Sequence, residues 1–195
     1  EKRPGIVLCH GFTGIKELIL PHYAQIFSDN SFVALAFDYR GFGESDGRRG
    51  RLLWNEQLAD IRNAITYIST RPEVDPARLG VWGTSYGGAL APYALAVDER
   101  IKAGVGQLGF ADGFAAATRR LPEEAIDTFR QMIEEDRRRR VLHNDPMYAD
   151  AMILASDPEM SAFFEKEAQR MPQILGREIM VQFIEAHLEF SPISV

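Results

Sequence analysis

The chain has 195 residues, 46% hydrophobic and 26% charged, which suits one soluble domain, or a core with an inserted subdomain, that needs no disulfides. Its 22 basic and 28 acidic residues leave a net charge of −6, which disfavours nucleic acid and anionic membranes as partners. The single cysteine, Cys9, cannot bridge internally, no apolar run nears the ~20 residues of a membrane span, and no signal-like segment opens the chain, so the cytoplasm is the expected compartment.

Glu1 stands first and a strand-like run begins by Gly5, so the sequence reads as one whose natural start lies upstream. GIVLCH, residues 5–10, predicts a short buried strand closed by Gly11 and Gly14. Residues 16–30 predict a helix that breaks, or starts late, at Pro21. SFVALAFDY, 31–39, predicts a second strand, apolar on both faces. Leu53, Leu58, Ile61, Ile65 and Ile68 recur near helical spacing. RLGVWGTS, 78–85, predicts a third strand, 86–99 a helix, and IKAGVGQLGF, 101–110, a fourth strand. Such alternation predicts an α/β fold: an open parallel sheet with helices on both faces and ligands beyond the carboxyl ends of its strands.

The texture changes after Gly113, dividing the chain into a partial α/β core of about four strands over 1–113 and a helical cap or lid over 114–195. No strand is expected beyond Phe114. Pro122 followed by Glu123 and Glu124 is a helix start, as is Ser156 or Asp157 as a cap before Pro158. A third helix is expected around Ile179, Phe183 or Ile184, and Leu188. The run Arg137–Arg140 reads as a solvated helix face, with an anion site as the alternative. All six methionines fall at or after Met132 and, with Phe163, Phe164 and Phe183, form either the cap's own core or an adaptable lid over a ligand.

Gly83-Thr84-Ser85-Tyr86-Gly87 fits G-x-S-x-G between a predicted strand and a predicted helix, the context of a nucleophile elbow. Side chains at 83 and 87 would collide with so tight a turn, and Ser85 would project its hydroxyl from the sheet edge. The Tyr86 N–H opens the helix and is placed to donate to an oxyanion. A plain small-residue turn is the bland alternative; a phosphate loop is the other, without the lysine of a P-loop.

Three stretches in order, HGFTG at 10–14, DYRGFGESDG at 38–47 and GTSYGG at 83–88, resemble an alpha/beta-hydrolase of the serine esterase or dienelactone-hydrolase type. The resemblance implies that HGFTG forms the oxyanion loop, with the Phe12 N–H as the second donor beside Tyr86, and that His10 shapes this loop rather than serving as base. Asp38 and Arg40 then brace the loop after the second strand, and Cys9 is a buried small apolar residue rather than a redox group. Family order places the acid and then the histidine after further strands, so the sheet reads as cropped at both ends and the triad partners as lying beyond Val195. Asp112, His143 and His187 remain the in-chain alternatives, with a helix cap for Asp112 and surface or packing roles for the histidines as the plainer readings.

The expected function is a serine hydrolase cleaving an ester or related acyl bond of a modest-sized apolar or aromatic substrate through an acyl-enzyme on Ser85. No metal or organic cofactor is required. The implied partner is a small-molecule acyl substrate and, at most, another copy of the chain in a homo-oligomer. A carbon–carbon bond hydrolase or acyltransferase would keep the same motifs; a non-catalytic binder of a small apolar ligand is the alternative from another class.

Overall fold

The structure, a computed structural model, describes residues 1–119, 121–154, 158–172 and 175–191, without the side chains of 153, 154 and 160. Four strands, β1 (Arg3–Cys9), β2 (Val33–Ala36), β3 (Val74–Thr84) and β4 (Ile101–Gln107), form one parallel sheet in the order β2-β1-β3-β4. Helices α1 (Leu20–Asp29), α2 (Trp54–Ser69) and α3 (Tyr86–Val97) connect them in turn.

The period-2 alternation of strand side chains sorts the core onto two faces. Val7, Cys9 and Val81 face one way and pack with Ile61, Ile65 and Ile68 of α2 and Leu90 of α3. Ile6, Leu8 and Trp82 face the other way, where α1 covers them with Leu20, Tyr23 and Phe27. The Tyr23 and Trp82 rings lie 4.1 Å apart. α1 starts late, with Pro21 in its first turn, where the missing N–H costs nothing. β2 stops at Ala36, short of the predicted Tyr39, because Asp38 turns inward to accept from Lys16 and the Glu44 N–H. β3 begins at Val74, and its register shifts between Leu79 and Gly80 against β4.

Asp98 ends α3 and ties it to α2 and to Arg100, just ahead of β4. Its carboxylate accepts from Arg100 Nε at 2.8 Å and Nη2 at 2.6 Å, and from Arg62 Nε at 3.3 Å. The Arg100 bond, against the opposing effect of burial, holds this carboxyl down at about 2. A depressed carboxylate adds stability above its unfolded value near ~4 and loses it as pH falls through the folded value. Asp98→Asn is therefore expected to cost about 2 kcal/mol at neutral pH. Urea midpoints of variant and parent should converge between pH 4 and 2.

Beyond β4 come α4 (Gly113–Thr118), α5 (Glu123–His143), α6 (Pro158–Arg170) and α7 (Gln182–Glu189). The expectation of no strand here needs correction: β5 (Tyr148–Asp150) and β6 (Glu178–Met180) pair antiparallel. Three residues are too few to print an alternation on the sequence, and the 176–190 stretch splits into β6 followed by α7. The proposed caps Ser156 and Asp157 lie outside the described residues. α5 runs on through the arginine cluster, and each arginine there has a carboxylate partner: Arg137 and Arg140 reach Glu185 on α7, Arg138 pairs with Glu135, and Arg139 with Asp145. The run thus pins α5 to α7 rather than forming a wholly solvated face.

The segment holding α7 is tied in at both ends. The Met180 N–H donates to Gly50 O at 2.9 Å, and the Gly113 N–H to Phe190 O at 2.8 Å. Phe190 stands 5.7 Å, ring to ring, from Trp54 on α2. By contrast, none of the described side chains of α6 is buried.

Candidate active site

Ser85 sits between β3 and α3, at φ 54° and ψ −118°. That conformation costs a residue with a Cβ about 1–3 kcal/mol and persists only where neighbours hold it. Here the Ser85 N–H donates to Gln107 O of β4 at 2.8 Å, and its carbonyl accepts from the Ala89 N–H at 3.0 Å. The flanking glycines are sterically required: a Cβ on Gly83 would lie 2.1 Å from Gly87 O, and one on Gly87 2.4 Å from Cys9 O. Thr84 and Tyr86 are buried on either side while Ser85 itself is exposed.

The 10–14 loop abuts this turn, since a Cβ on Gly11 would come within 3.0 Å of Ser85 Cβ. Neither the Phe12 nor the Tyr86 N–H has a protein acceptor among the described residues, and Tyr86 is the first residue of α3. Two free amides thus flank a serine at the positive end of a helix. His10 is buried and its Nδ1 contacts Gly11 O at 2.9 Å, so that nitrogen carries the proton. Burial lowers its pKa despite that bond. No bond joins it to Ser85; it lines the same cavity and stands edge-on to Tyr39 at 4.6 Å.

These residues open into a cavity of about 670 Å³. Its walls include Phe12, Tyr86, Phe110, Phe164, Phe183 and His187, with Ser85 on the floor. Ile19, Leu108 and Phe163 line it too while remaining exposed, so part of the mouth is apolar, beside the exposed Glu159. Met152 is the methionine in this wall among the described side chains; Met180 is buried in the core. Sequence reasoning missed Phe110 and gave His187 no place in the wall. Phe110 closes the fourth-strand run, and His187 falls one helical turn after Phe183, on the same face of α7.

The in-chain candidates for acid and base are not brought to Ser85. Asp112 caps α4, accepting from the Ala115 N–H at 2.8 Å. His143 is exposed in the last turn of α5 and absent from the cavity wall. His187 reaches the wall but makes no hydrogen bond to Ser85 among the described residues. Its Nδ1 is buried without a partner, as is the Tyr86 hydroxyl, and burial pushes its pKa down to about 4, too weak a base for neutral pH.

Cys9 is fully buried and its thiol is pushed up to about 12 by that burial, which makes it inert. Asp38 and Arg40 are engaged structurally: Arg40 forks onto Asp60 of α2, and Asp38 holds the Lys16 backbone N–H at 2.7 Å. Among the described residues, Glu17, Asp38 and Glu44 bring carboxylates within 4.8 Å of one another. The Lys16 ammonium already bonds to all three, supplying the cation such a cluster requires. Among the described residues no helix is long and apolar enough to cross a membrane.

The family described as "Serine aminopeptidase, S33" matches residues 1–184. An Escherichia coli protein described as "Uncharacterized 31.7 kDa protein in traX-finO intergenic region" is 38% identical over 183 residues, 94% of this chain and 63% of its own length. The chain therefore spans less than two thirds of that relative. The thiohydrolase aneE of Aspergillus aculeatus is 37% identical over 100 residues, 51% of this chain and 31% of its own. Among solved structures, DcsB in complex with its substrate analogue superposes with a TM-score of 0.84 at 25% identity, covering 99% of this chain and 67% of that one.

Proposed function

The chain belongs to the serine aminopeptidase S33 family of alpha/beta hydrolases, and on that premise we propose that it carries the nucleophile and oxyanion half of an acyl-transferring serine hydrolase. The observation that carries this reading is Ser85: exposed, strained at φ 54°, and set in the floor of an apolar cavity. Backbone strain at a site whose neighbours over-determine it is a mark of function.

In this mechanism Ser85 Oγ attacks the acyl carbonyl, and the Phe12 and Tyr86 N–H groups receive the developing oxyanion. The positive end of α3 strengthens that stabilisation inside a site lined by low-dielectric aromatic walls. The base that takes the Ser85 proton, and the acid that orients it, are assigned to the remainder of the longer protein, because no histidine among the described residues bonds to Ser85. The aromatic walls suit an apolar or aromatic acyl group.

A fluorophosphonate probe tests the assignment on the full-length protein. Peptide mapping should place the adduct on Ser85. An adduct on another residue removes Ser85 from the role, and the absence of any adduct points instead to a cavity that binds small apolar ligands without turnover.

A further inference from the structure

His187 is a feature of the cavity wall that an apolar acyl group does not explain. His187 of α7 is 7% exposed and packed among three rings, with centroids 5.1 Å from Phe110, 5.3 Å from Phe183 and 5.7 Å from Tyr86. A phenylalanine would fill this box without stranding a nitrogen. Buried polar groups almost always find partners, and an unpaired one needs an explanation. Nδ1 is fully buried and has no partner. Nε2 makes no hydrogen bond among the described residues either, and it is the ring nitrogen that keeps accessible surface, on a residue that lines the cavity.

The proton can be assigned from this asymmetry. Orphaned buried N–H groups are rarer than orphaned acceptors. The neutral ring therefore leaves its lone pair on sealed Nδ1 and its N–H on Nε2, a donor facing the cavity. A neutral donor suits an uncharged oxygen acceptor.

We propose that His187 is a specificity-determining residue whose Nε2–H donates to a ketone oxygen on the acyl part of the substrate, so that oxo-substituted acyl groups are preferred over plain ones. This rests on reading the Ser85 cavity as the acyl site. No covalent step is added, and the ring keeps its proton throughout.

Calorimetry on the full-length protein can test this with inert ligands: decanamide against oxodecanamides carrying the ketone at each carbon from 3 to 9. At least one oxo isomer should bind roughly 3- to 10-fold tighter than decanamide, the gain of one net hydrogen bond. In His187→Phe that ratio should fall to about one, and His187→Gln, whose amide also donates, should recover part of it. A histidine that merely packs the wall would change both affinities alike and leave the ratio intact. Nitrogen-15 spectra of histidine-labelled wild-type protein give a readout independent of any variant's folding: the favoured oxo isomer should shift the His187 Nε2 resonance, and decanamide should not. No oxo preference in the wild type, a preference that survives in His187→Phe, or an unmoved resonance would overturn the proposal. These binding results stand whether or not Ser85 takes the fluorophosphonate, so the two readings fail separately.

Discussion

Ser85→Ala is expected to lower kcat/KM of the full-length protein for a p-nitrophenyl acyl ester by about 10⁴-fold or more. The loss should fall on kcat, because the apolar walls proposed to bind the acyl group are untouched while the proposed nucleophile is gone. The fold should survive, since alanine keeps the Cβ and the turn is held by backbone bonds, the Ser85 N–H to Gln107 O and the Ala89 N–H to Ser85 O. An unchanged melting temperature with lost turnover would identify a chemical role; equal loss of both would mean that the hydroxyl serves the turn instead. Turnover retained within tenfold would remove the acyl-enzyme from the mechanism.

Gly83→Ala should have a large effect on stability. The added Cβ would lie 2.1 Å from Gly87 O and 2.4 Å from Gly87 C, so the obstacle is backbone that no rotamer change can clear. Overpacking of a well-packed interior costs about 1–3 kcal/mol, and a clash of main chain with main chain belongs at or above the upper end. Relief requires α3 to move off β3, and its first residue, Tyr86, carries one of the two proposed oxyanion donors. Urea denaturation should show a midpoint lowered by about 3 kcal/mol of stability, with loss of fluorophosphonate labelling in the molecules that remain folded. A variant as stable as the parent would show that the elbow is looser than its geometry implies.

The core was legible because its signals are local. Doubly apolar strands and helical spacing gave β1 to β4 and α1 to α3, and the residues around Ser85 announced a strand-to-helix turn by their lack of side chains. Asp38 shows where such reading runs short: SFVALAFDY looks like one strand, but the buried carboxylate pulls the chain out of the sheet to meet Lys16. β5 and β6 were invisible because their pairing joins Tyr148 to Met180, a contact with no local pattern. His187 was named from its residue type alone. Its place in the wall depends on α7 docking against Tyr86 and Phe110, which spacing within EAHLEF cannot encode.

The two sides of the cavity are built to different standards. Tyr86 is buried at the start of α3, and Phe183 and His187 stand on α7, which is tied in at its ends through the Met180–Gly50 and Gly113–Phe190 bonds, whereas Phe163 and Phe164 ride on α6, whose described side chains are all at least partly open to solvent. Discrimination between ligands needs a surface that holds its shape, and accommodation of varied bulk needs one that yields at low cost. Such a division favours strictness toward the part of the ligand beside the serine and tolerance toward the length of its tail, so a family of homologous chains, rather than one molecule, would share the same reacting end.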